Sequence, residues 1–117
     1  MAGIFGDDIN NRAEFFQQLD RAIAECARLI QRLPDEDTLQ SVALQLAAVR
    51  RFTQGGRTPR QSERESLDMA LRMFREYEMT DDVEIHRFRG MISGIHNYVD
   101  YWPSDDVASD PNNDDYL

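Results

Sequence analysis

Two histidines, a single cysteine and a surplus of carboxylates are the residues of this chain that could carry chemistry. His86 follows Asp82 by one helical turn, a spacing at which imidazole and carboxylate could share a metal or a proton. No histidine stands at i+4 from either His86 or His96, and there is no Glu-x-x-His pair of the di-iron bundle kind, so a surface ion pair is the reading this spacing favours. Cys26 falls on an apolar stripe, where a thiol is a small core residue more often than a nucleophile. Gly55-Gly56 lacks the lysine and the serine or threonine of a phosphate loop, and Gly90-x-x-x-Gly94 lies within a helical pattern rather than after a strand. Paired carboxylates could do acid-base work, but nothing suggests a cleft that would perturb them. The expectation is a protein with no catalytic residues, no metal site and no cofactor.

Binding is better supported. Glu76, Tyr77, Glu78, Met79, Thr80, Asp81 and Asp82, with Tyr98, Asp100, Tyr101 and Trp102 at the other end of the last helix, mix acids with aromatics. Aromatic side chains anchor interfaces, and negative potential steers a protein toward a positive partner. The whole chain carries 22 acidic against 13 basic residues for a net charge of −9, and every basic residue is arginine. That balance argues against nucleic acid or an anionic membrane as partner, since both demand positive patches. One cysteine excludes an internal disulfide and fits a reducing compartment. With neither a secretory segment nor a long apolar run, the expected location is the cytoplasm.

The elements that position these residues are helices. Between Thr80 and Trp102, Ile85, Phe88, Ile92, Ile95, Val99 and Trp102 recur at alternating steps of three and four, which places them on one stripe. Asp81 with Glu84 reads as a capping box, and Pro103 cannot continue the helix. The opposite face carries Val83, Arg87, Gly90, Gly94, Asn97, Tyr98 and Tyr101. Glycine inside a helix costs about 0.8–1 kcal/mol relative to alanine, so two of them one turn apart imply either a close approach by another backbone or a central helix packed on both sides.

Upstream, a helix from about Ile9 to Leu33 is opened by Asp7 and Asp8 and closed by Pro34. It turns Phe15, Leu19, Ala22, Cys26, Leu29 and Leu33 inward, with Phe16, Ile23 and Ile30 widening the stripe. A second, opened by Asp35, Glu36 and Asp37, runs to Phe52 with Leu39, Val42, Ala43, Leu46, Val49 and Phe52 inward, and Gln54-Gly55-Gly56 breaks it. A third starts at Thr58-Pro59 with Gln61 and extends to Tyr77, with Leu67, Ala70, Leu71, Phe74 and Tyr77 on one face. The predicted fold is all-α, an antiparallel bundle of about four helices over residues 9–102. A lead-in, residues 1–8, lets Ile4 and Phe5 tuck against the body. An acidic tail, residues 103–117, contributes five aspartates and has the composition of a disordered segment.

The helix order, Asp20-Arg21-Ala22, the Gln45-Leu46 and Val49-Arg50 pairs, and above all Glu76-Tyr77-Glu78-Met79-Thr80-Asp81 resemble the small all-helical immunity proteins that accompany NAD(P)-degrading toxins of bacterial type VI secretion. The resemblance covers about Phe15 to Trp102. It implies a non-enzymatic inhibitor that binds a toxin domain and blocks its active site, sparing NAD(P)⁺. An acidic surface suits that task, because a pocket for a dinucleotide's phosphates is expected to be electropositive. The expected partner contacts are Glu76, Tyr77, Glu78, Asp81 and Asp82 at the corner between the last two helices, with Arg87, Gly90, Gly94, Tyr98 and Tyr101 as a flatter docking face. The alternative is a self-associating or adaptor bundle that uses the small-residue face for a homodimer. A third reading is a small enzyme acting through Asp82 and His86.

Overall fold

The first helix begins where side chains can hold its open end. Asn11 Oδ1 accepts the backbone N–H of Glu14 at 2.8 Å, and the Glu14 carboxylate reaches back to the N–H of Asn10 at 3.0 Å. This reciprocal cap satisfies donors that have no intrahelical partner and sets α1 at Arg12–Arg32. The start therefore falls later than the expected Ile9. The computed structural model describes residues 9–77 and 81–102. The lead-in with Ile4, Phe5, Asp7 and Asp8, the link Glu78-Met79-Thr80, the acidic tail from Pro103 onward, and the side chains of Ala70 and Phe74 lie outside the described residues.

After the stop at Pro34, α2 spans Asp37–Phe52. Its end is held by buried Thr53, whose hydroxyl donates to the Val49 carbonyl at 2.8 Å. Gly55 and Gly56 then take φ of +70° and +84° in a short 3₁₀ turn, a region of backbone space that a Cβ makes costly.

The expected third helix is two helices, α3 at Gln61–Glu65 and α4 at Met69–Tyr77. Gln45 of α2 explains the break: its Oε1 accepts the backbone N–H of Asp68 at 2.7 Å and its Nε2 donates to Asp68 Oδ1 at 2.6 Å. An amide engaged by a neighbouring helix is not available to continue its own ladder. The start also moves, because Arg60 rather than Thr58 is the capping position and its N–H donates to Glu63 at 2.8 Å. The interruption shifts the phase of the stripe as well. Met69, Met73 and Tyr77 face inward with Leu67, while Leu71, expected inside, is 58% exposed.

The last helix, α5, spans Val83–Tyr101 and buries Ile85, Phe88, Ile92, Ile95 and Val99, with Trp102 buried just beyond it. Met91 and Tyr98 join them. Its cap is Asp82, not Asp81. Trp102 closes the helix in the left-handed region at φ 38°, its N–H donating to the Tyr98 carbonyl at 2.7 Å. α1 packs on α2 and α5, and α4 packs on α2 and α5, so four helices ring one core, as expected of an all-α bundle. Among the described residues there is no strand, and no helix is long and apolar enough to cross a membrane.

Candidate partner-binding surface

The acids and aromatics singled out by the sequence divide into those the fold has used and those it leaves open. Tyr77 is turned inward at 8% exposure. Its hydroxyl donates to Glu36 at 3.0 Å, and its carbonyl accepts from Arg89 at 3.1 Å. Burial, with the Glu36 carboxylate beside it, holds the phenol well above its usual range. Tyr98 is likewise buried: it stacks on Phe15 at 4.9 Å between ring centroids and meets Trp102 edge-on at 5.6 Å. Arg12 donates to its hydroxyl at 3.3 Å while lying 4.0 Å over the Trp102 ring. Both tyrosines hold the surface from beneath.

Asp82 is also committed to the fold. Its Oδ1 accepts the N–H groups of Glu84 and Ile85 at 3.0 and 3.2 Å, and its Oδ2 accepts from Arg32 at 2.6 Å. Arg32 first, helped by those backbone donors, holds the carboxyl below the usual carboxylate range. The pairing continues across the helix ends. Arg32 Nε lies 3.0 Å from Glu84, and Arg28 links Glu84 at 2.7 Å to Glu25 at 2.5 Å. The result is a five-residue clamp, Glu25–Arg28–Glu84–Arg32–Asp82, joining the last turns of α1 to the first turn of α5.

What stays open is Glu76 and Asp81 at the corner, both exposed and, among the described residues, without a hydrogen bond or ion pair. Beside them runs the outer face of α5, away from the stripe that packs on the core. Val83 is 67% and Tyr101 74% exposed, Arg87 and Asn97 are exposed, and Gly90 and Gly94 are half-buried between them. Eighteen residues of helix rise make this face about 27 Å long, with Val83 and Tyr101 at its ends and the two glycines at its middle. Glu78 lies outside the described residues.

The Tsi6 family model matches residues 14–99. The chain belongs to the Tsi6 family. Members of this family are type VI secretion immunity proteins. No curated protein and no solved structure matches. The matched span runs from the first turn of α1 to Val99 of α5, so it contains the corner, the clamp and most of the outer face of α5 in this Tsi6-family chain.

Cys26 is 1% exposed and lies 3.3 Å from the Leu39 carbonyl, and burial pushes its thiol up to about 11. Among the described residues no three His, Cys, Asp or Glu side chains converge, and Asp82 faces Arg32. A groove of about 710 Å³ opens between α1 and α2, floored by Phe16, Ile23 and Ala47 and rimmed by Asp20, Arg50 and Arg51.

The sequence pointed to Glu84 as a capping residue but not to its pairing, or that of Asp82, with Arg28 and Arg32. The signal was present in part: Arg28 and Arg32 are one turn apart near a helix C-terminus, and Asp82 and Glu84 sit at a helix N-terminus. Each is the favoured sign for its end of the dipole. Pairing them, however, needs the register between helices some 50 residues apart in sequence, as in the Arg32–Asp82 bond.

Proposed function

We propose that this Tsi6-family protein is the inhibitor of a secreted toxin domain, one that degrades NAD(P)⁺, and that it acts by binding rather than by chemistry, occluding the toxin's active site inside the cell. The observation that carries this reading is the continuity of open charge with an exposed helix face: Glu76 and Asp81 are exposed and, among the described residues, without an ion pair at the corner where the outer face of α5 begins. Tyr101 and Val83 are the apolar anchors, Gly90 and Gly94 let the partner's backbone come close, and Arg87 and Asn97 supply hydrogen bonds. Tyr77, Tyr98 and Asp82 contribute by holding that surface rather than by reaching the toxin. A net charge of −9 draws the chain to a basic, phosphate-binding cleft and raises the rate of encounter.

The experiment is a titration of the purified chain into the toxin domain encoded beside it, following NAD⁺ consumption and association kinetics together. Stoichiometric addition abolishes turnover. The pair Glu76→Arg and Asp81→Arg slows association by about tenfold or more at low salt, since close charge complementarity acts chiefly on the on-rate. Unchanged kinetics for that pair remove the corner from the interface, and a tight complex that still consumes NAD⁺ removes active-site occlusion.

A further inference from the structure

Of the two open carboxylates at the corner, Glu76 stands in the last turn of α4 and Asp81 directly precedes the cap of α5. The clamp beneath them is built from a different part of the chain. Arg32 of α1 bridges two carboxylates of the α5 start, Asp82 at 2.6 Å and Glu84 at 3.0 Å, and Arg28 holds the other oxygen of Glu84 at 2.7 Å. A planar guanidinium fixes direction as well as distance. Asp82, one residue from Asp81, is thus gripped from both sides, by the α5 backbone through Oδ1 and by α1 through Oδ2.

We infer that Arg28 and Arg32 are positioning residues of the toxin-binding corner: they do not touch the toxin, but fix the start of α5 so that Asp81 and the outer face of α5 are presented in one preformed geometry. This inference rests on the toxin-binding reading above. The clamp is exposed, with Arg28 and Arg32 side chains 46% and 40% accessible, and exposed ion pairs add little to global stability. Its consequence lies elsewhere. A segment that must be ordered on binding lowers affinity, and a segment already ordered does not. The same four side chains also set the charge that a partner meets. Asp82 and Glu84 are engaged by Arg32 and Arg28, so among the described residues of the α4–α5 corner Glu76 and Asp81 are carboxylates left without an ion pair.

The test has two arms. In the free protein, Arg32→Ala speeds amide exchange at Glu84 and Ile85 by about tenfold, while Ile92 and Ile95 in mid-helix are unchanged and helix content is retained. Against the inactive form of the toxin encoded beside it, Arg32→Ala weakens binding at least tenfold and Arg32→Lys, which keeps the charge but not the fork, falls between. Asp81→Asn, costly in the parent, loses much of its effect in the Arg32→Ala background. Arg50→Ala, which breaks the exposed Arg50–Asp20 pair between α1 and α2, is the control and leaves binding unaltered. Equal affinity of Arg32→Ala and parent, or fully additive losses with Asp81→Asn, overturns the positioning role and leaves the toxin reading standing. A parent chain that does not bind that toxin overturns both, whatever the exchange arm returns.

Discussion

Asp81 and Asp82 are adjacent and chemically identical, yet Asp82 has both carboxylate oxygens engaged within the fold while Asp81, among the described residues, has neither. The difference comes from the last turn of α1, and no local pattern around the two aspartates contains it. That is why the sequence placed the cap one residue early and grouped both with the partner contacts. That Tyr77 and Tyr98 turn inward was hidden for a related reason: an amphipathic ring can face either way, and the groups that meet their hydroxyls, Glu36 and Arg12, are distant in the sequence. Cys26 was legible, because its place on the apolar rhythm of α1 already put it inside. Its buried thiol, raised to about 11, gives a prediction at this scale. The folded pKa lies above the unfolded value near 9, so this group's contribution to stability is complete below pH 9 and is lost as pH rises from about 9 toward 11. Thiol-directed reagents at pH 8 should label the native protein at a rate that follows unfolding, and label it fully in denaturant. Rapid labelling of folded protein would contradict the burial.

The helices show how far periodicity reaches. Every residue assigned to the inner stripe of α5 is buried, and α1 and α2 follow their predicted faces, with Phe16, Ile23, Ile30, Leu33, Ala43 and Phe52 half-buried at the margins. Failure came at α3 and α4, where periodicity was read through a break. Gln45 takes the Asp68 amide out of the ladder, and a glutamine on a neighbouring helix leaves no mark on the pattern it interrupts. The outer face of α5 remains the element on which the functional account depends. Replacing Gly94 with leucine or glutamine should keep helix content the same or raise it, since glycine is the poorer helix former by about 1 kcal/mol, while weakening toxin binding at least tenfold. Circular dichroism beside binding kinetics distinguishes the outcomes. A loss of folding would mean that the glycine face is internal packing, and intact binding would take it out of the interface.

At the scale of the molecule, the all-α class, the short connections and the acidic balance could all be read directly, because each depends on composition and local rhythm. The arrangement that gives the surface its character could not. A ring of four helices brings the end of α1 to the start of α5, and with it two arginines that offset two of the corner's acids. What remains is an acidic bundle of the Tsi6 family in which, among the described residues, Glu76 and Asp81 stand without an ion pair beside the outer face of α5. The measurement that bears most directly on this account is co-expression of the chain with the product of the adjacent upstream gene, scoring cell survival and cellular NAD⁺. The expected result is that the neighbour alone kills and depletes NAD⁺, that the chain restores both survival and NAD⁺, and that charge reversal at Glu76 and Asp81 abolishes the rescue. A neighbour that is harmless alone, or whose toxicity this chain leaves untouched, would contradict it.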